Sequence, residues 1–90
     1  MLNAFYSSRF KKDFRACVKR GYDISLLEAV IDILRIPDKL PEFYLDHQLS
    51  GSYSGYRECH IKPDWLLIYR RDTSELYLAR TGTHAELFGN

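Results

Sequence analysis

Long apolar runs, paired cysteines, repeats, linkers and low-complexity tracts are all missing from this sequence, and each absence closes a class. No stretch approaches the length of a membrane span. The two cysteines, Cys17 and Cys59, form no CxxC pair, and in a reducing compartment they read as small buried apolar residues. The opening Met1-Leu2-Asn3-Ala4 lacks the basic and apolar regions of a signal peptide, so the cytoplasm is the expected location. What remains is 90 residues, 46% of them apolar, which argues against disorder and for one small globular domain over residues 1–90.

Net charge is also nearly absent, at +1, but its distribution is uneven. Residues 1–22 hold Arg9, Lys11, Lys12, Arg15, Lys19 and Arg20 against Asp13 alone, a balance of +5. Residues 23–47 carry six acids against Arg35 and Lys39, a balance of −4. A basic segment on an otherwise balanced domain is a local footprint for a polyanion. By charge alone, a solvated helix face is the simpler account.

Phe10, Phe14, Cys17 and Val18 recur with helical spacing, and the basic residues fall between them. This predicts an amphipathic helix with a positive wet face, closed by Gly21. Ser25-Leu26-Leu27-Glu28 reads as a capping box for a second helix carrying Leu27, Val30, Ile31 and Leu34, which must stop before Pro37. Pro37 to Asp46 is loop-like. The period then switches to two over Tyr56–Lys62, Asp64–Arg71 and Glu75–Thr81, with turn signals at Pro63-Asp64 and Asp72-Thr73-Ser74. The expected fold is α+β: two N-terminal helices packed on a small antiparallel sheet, with a short strand at Asn3–Tyr6 available to pair at an edge.

All three histidines, His47, His60 and His84, lie in the second half, before, within and after these strands. Ends of sequential antiparallel strands converge, so the three can meet, with Asp64 and Trp65 just past a turn from His60. RNA cleavage by the adjacent 2′-hydroxyl needs such a mixture: a base, an acid and a cation for the charged phosphorane. Histidine suits both proton roles, arginine (Arg57 or Arg80) the third, and aromatic side chains stack unpaired bases. Each residue also has a plainer reading: Trp65 as core, Asp64 as a turn former, Arg80 as a solvated strand residue. Three histidines and an aspartate can also bind zinc, but their spacing matches no compact zinc signature.

The stretch Asp46-His47-Gln48-Leu49-Ser50-Gly51, then Gly55-Tyr56-Arg57 through His60 and Pro63-Asp64-Trp65 to Tyr69, strongly resembles the YafQ branch of the RelE-type toxins. So does the ending Arg80-Thr81-Gly82-Thr83-His84-Ala85-Glu86-Leu87-Phe88. The N-terminal half matches in layout rather than in motif. The resemblance implies a RelE-like microbial ribonuclease fold of two helices on an antiparallel sheet. It further implies a type II toxin–antitoxin toxin that cuts mRNA on the ribosome, without metal or cofactor, by acid–base chemistry through the 2′-OH.

Carried over by position, the resemblance puts the catalytic set on His47, His60, Asp64 and His84. His84 is the first choice for proton transfer, His60 and Asp64 come next, and His47 orients. It puts substrate binding on Trp65, Arg80 and Phe88. The basic helix, through Lys11, Lys12 and Arg15, becomes the expected contact with ribosomal RNA. A cognate antitoxin, the ribosome and mRNA are the implied partners, no membrane is involved, and the free toxin is expected to be a monomer. The alternatives are a catalytically inactive module of the same fold that binds RNA or antitoxin, and a metal-dependent hydrolase.

Overall fold

The apolar stripe read from Phe10 onward forms helix α1, Ser8–Lys19, with Phe10 and Cys17 buried. Ser7 caps its start by accepting from the Phe10 N–H, and Gly21 ends it at φ 77°. The Gly21 and Tyr22 N–H groups bond back to Val18 and Cys17, a closure that only a residue tolerant of positive φ gives cheaply. The second helix, α2, spans Ile24–Arg35 and buries Leu27, Val30, Ile31 and Leu34. The expected capping box at Ser25 does not form. Asp23 is the cap, its carboxylate accepting from the Ser25 N–H at 3.1 Å, because a carboxylate two residues earlier reaches the orphan donor first.

The computed structural model describes residues 1–36 and 40–89. The start of the predicted loop, Pro37, Asp38 and Lys39, lies outside the described residues.

The three predicted strands become β3 (Arg57–Lys62), β4 (Trp65–Arg71) and β5 (Glu75–Gly82), the expected short edge strand forms as β1 (Asn3–Tyr6), and β2 (His47–Gln48) joins them. The sheet order is β1-β5-β4-β3-β2. All neighbours are antiparallel except β1, which runs parallel to β5 with Phe5 opposite Tyr77. The sheet is therefore mixed rather than antiparallel. A hairpin forces antiparallel pairing, and β1 is joined to β5 through the whole intervening chain rather than by a hairpin. A five-residue helix, α3 (His84–Phe88), follows β5, with a capping box between Thr83 and Glu86.

Helices α1 and α2 cover one face of the sheet, where Trp65, Leu67, Tyr69, Cys59, Leu76 and Leu78 meet Phe10, Leu27, Val30 and Leu34. The other face carries Leu66, Ile68 and Ala79, capped in part by Leu87 of α3. Both cysteines are buried free thiols, as expected, and burial raises the pKa of each. Among the described residues no helix is long and apolar enough to cross a membrane.

Candidate active site

The open face of the sheet positions the histidines. In β3, Glu58 and His60 are two apart and so share a face, while the register sets Glu58 opposite both Ile68 and His47 and sets His60 opposite Leu66. His84 is the first residue of α3. Its ring centre lies 5.6 Å from that of His60, which in turn lies 6.4 Å from that of His47. The three imidazoles form a row with His60 in the middle.

Each ring has a partner that bears on its tautomer. Asp64 Oδ1 accepts the backbone N–H of His84 at 2.9 Å and lies 2.6 Å from its Nδ1. These bonds from His84 hold the Asp64 carboxyl below its ordinary range, the backbone bond contributing most. An ionised carboxylate only accepts, so Nδ1 carries the proton and Nε2 keeps its lone pair. His60 Nε2 lies 3.0 Å from Glu58 Oε1. His47 Nδ1 donates to the Leu45 carbonyl at 2.9 Å, and its Nε2 stands 3.8 Å from Glu58. Leu45 has positive φ, 54°, which turns the chain to make this bond.

Glu58 is the residue that sequence reasoning missed. It is 4% exposed and sits between two imidazoles. Its signal was available in Glu58-Cys59-His60: an acid two residues from a histidine in a strand points the same way. Asp46 has a supporting part. It accepts from Tyr69 Oη at 2.5 Å and from Arg57 at 2.9 and 3.1 Å, which ties the segment before His47 to the sheet and occupies Arg57.

His84 is fixed from behind as well. Thr83 caps α3 while Glu86 returns a carboxylate to the Thr83 N–H. Arg20, at the C-terminal cap of α1, grips both oxygens of Glu86 and is the main reason its pKa falls to about 2. Gly82 leaves room for this closure: a Cβ there would stand 3.0 Å from Glu86 Oε1.

The predicted substrate-binding residues do not join the row equally. Phe88 is half-buried beside Tyr53, edge to face, and borders the open face. Trp65 is 3% exposed, on the helix side of the sheet against Tyr22, and its indole N–H donates to Thr81 Oγ1 at 2.9 Å. It has no free surface on which to stack a base. Arg80 gives its fork to Asp13 at 2.9 and 3.0 Å, both side chains being 14% exposed, and that pairing raises its pKa. Its charge is spent inside the fold. Lys11, Lys12 and Arg15 are exposed on α1.

Over residues 2–89 the sequence matches the family described as bacterial toxin of type II toxin–antitoxin system, YafQ. The chain belongs to the YafQ toxin family. It is 44% identical over 87 residues to the mRNA interferase toxin YafQ of Escherichia coli K12, covering 93% of this chain and 92% of that one. The fold superposes on YafQ in the E. coli DinJ–YafQ toxin–antitoxin complex with a TM-score of 0.91, at 42% identity and 98% coverage of both chains. A metal-bound toxin from Helicobacter pylori gives the same TM-score and identity, covering 98% of this chain and all of that one.

Among the described residues of this YafQ-family chain, one group of side chains is disposed to hold a metal ion. The ligand atoms of Glu58, His60 and His84 all lie within 4.8 Å of one another. A tetrahedral ion bound at ~2.0–2.1 Å needs ligands roughly 3.4 Å apart. The set fits after a small contraction, and the N,N,O donor character suits zinc or copper.

Proposed function

We propose that this chain is the toxin of a type II toxin–antitoxin pair, a cytoplasmic endoribonuclease that cuts mRNA on the ribosome and so stops translation. The observation that carries this reading is the row His47–His60–His84, flanked by Asp64 and Glu58 on the open sheet face. Two imidazoles about one ribose-phosphate apart can divide the work of 2′-OH attack. One takes the hydroxyl proton, and the other protonates the departing 5′-oxygen. Asp64 and Glu58 orient the rings and stabilise whichever becomes imidazolium, and His47 completes the wall. No metal is required for either transfer. Because Arg80 is held by Asp13, the phosphorane charge falls to the imidazolium itself, and Arg80 supports the site through the fold. Phe88 and Tyr53 border the substrate path.

Ribosome dependence draws support from the exposed Lys11, Lys12 and Arg15 on α1, which offer sequence-independent attraction to ribosomal RNA. An antitoxin partner follows from the family and from the DinJ complex of the E. coli relative. The free toxin is proposed to be a monomer.

The metal-bound relative favours a second, subordinate reading of the same cluster. An ion held by Glu58, His60 and His84 would occupy the lone pairs that move protons, and so would inhibit.

The test maps new 5′ ends on an mRNA with and without translating ribosomes, beside His84→Ala. New ends only with ribosomes, absent in the variant, establish the activity. Equal cutting of naked RNA removes ribosome dependence, and no cutting by folded protein leaves a binding module.

A further inference from the structure

Beyond the histidines, the open face carries a second feature. A single row of side chains crosses the sheet: Phe5 on β1 opposite Tyr77 on β5, Tyr77 opposite Arg70 on β4, and Arg70 beside Tyr56 just before β3. The Arg70 guanidinium lies 4.8 Å from the centre of the Tyr77 ring and 5.5 Å from that of Tyr56, held between the two. Arg70 is exposed, with no carboxylate hydrogen-bonded to it among the described residues, although Asp72 lies near enough to feel its charge. Arg57 and Arg71 line the adjoining groove with Gln48, Leu49 and Tyr56, but their own hydrogen bonds are made within the fold. Asp72 and Glu75 rim the opposite side, toward Phe5.

This row and the histidines share one face. His60 is opposite Leu66, and Arg70 is four residues further along β4, so the separation is about 13 Å at ~3.3 Å per residue. Leu66 and Ile68 bury the middle of this face with Leu87 of α3, and Tyr56 and Tyr77, partly buried, pack against that cluster while Arg70 stays exposed. Flat aromatic rings with a delocalised cation between them form a platform for unpaired bases and their phosphates, and every base has a face to stack.

We propose that Tyr56, Arg70 and Tyr77 form a second subsite for single-stranded RNA, which holds the message beyond the scissile phosphate. The strand crosses the sheet from the histidine row to this platform. A base stacks on Tyr77 or Tyr56, and Arg70 turns to a phosphate. The acidic rim at Asp72 and Glu75 ends the path before Phe5. This extends the nuclease reading and rests on it for the position of the scissile bond.

The test measures anisotropy of labelled single-stranded RNAs of increasing length at low salt. The toxin carries His84→Ala so that it binds without cutting, with Arg70→Ala and Tyr77→Ala added singly. Expected is affinity that rises once the RNA is long enough to span both sites. Each added substitution should remove that rise, by roughly tenfold, while leaving the shortest RNAs unaffected. Should Tyr77→Ala lose its fold by circular dichroism, Arg70→Glu, at an exposed position, carries the test. Affinity that ignores length, equal loss at every length, or no binding by a toxin whose unmutated form cuts on ribosomes overturns the subsite. Length-dependent binding without cutting by the unmutated toxin keeps the subsite and removes the nuclease reading.

Discussion

Asp64 and His84 are joined twice through one carboxylate oxygen, which accepts the histidine's backbone N–H and faces its Nδ1 at 2.6 Å. One bond places the residue and the other selects the tautomer. Asp64→Asn preserves an acceptor for the backbone but can turn an amide N–H toward Nδ1. The expected loss in kcat is about 10²- to 10⁴-fold with little change in KM. A rate within a few-fold of the unmutated enzyme would remove Asp64 from the proton-transfer apparatus.

Acid should release α3 before it unfolds the sheet. Asp64 and Glu86 both tie this helix down, and both have lowered pKa values, Glu86 to about 2 from an ordinary 4.5. Their contribution is thus complete above the ordinary carboxylate range and is lost as pH falls through the lowered values. Amide exchange at Leu87 should stay protected near pH 5 and rise as pH falls from about 4.5 toward 2. Protection that vanishes between pH 7 and 5 contradicts this.

Thr81 is buried, and its hydroxyl accepts from Trp65 while donating to the Leu66 carbonyl at 2.7 Å. Thr81→Val keeps the shape and strands the indole N–H. A loss of about 1–3 kcal/mol is expected from urea unfolding, with an unchanged m-value. A neutral result would mean that the indole finds another acceptor.

Arg80 and Asp13 offer a way to separate support from catalysis. Arg80→Ala leaves a largely buried carboxylate unpaired and should cost about 3 kcal/mol or more. Adding Asp13→Asn should recover much of this, and activity should return with stability. If stability returns and cutting stays absent, Arg80 touches the substrate after all.

Copper or zinc should slow cutting by the purified toxin, and a chelator should restore the rate. Glu58→Gln should then demand roughly 10- to 100-fold more metal for the same inhibition, since a carboxylate ligand has been lost. Faster cutting with added metal would reverse the assignment of the ion from inhibitor to participant.

The sequence by itself determined helices α1 and α2, the strands other than β2 and the residue types of the site, because these depend on local periodicity and on chemistry carried by the residues themselves. Phe10, Phe14 and Cys17 state a helix wherever they occur, and Asp46 onward carried the family likeness in its motifs. Tertiary structure alone decided the rest. The parallel pairing of β1 with β5 depends on how the whole chain returns, which no local pattern encodes. Trp65 and Arg80 belong to a motif, yet which face of the sheet receives one and which acid meets the other is settled by the packing of α1 and α2. The spacing of Glu58 from His60 was open to reading in the sequence, but its place against His47 was decided only when β2 came to lie beside β3. A side chain's chemistry is local, but its partner is chosen by distance in space, and that is fixed by burial across the entire fold.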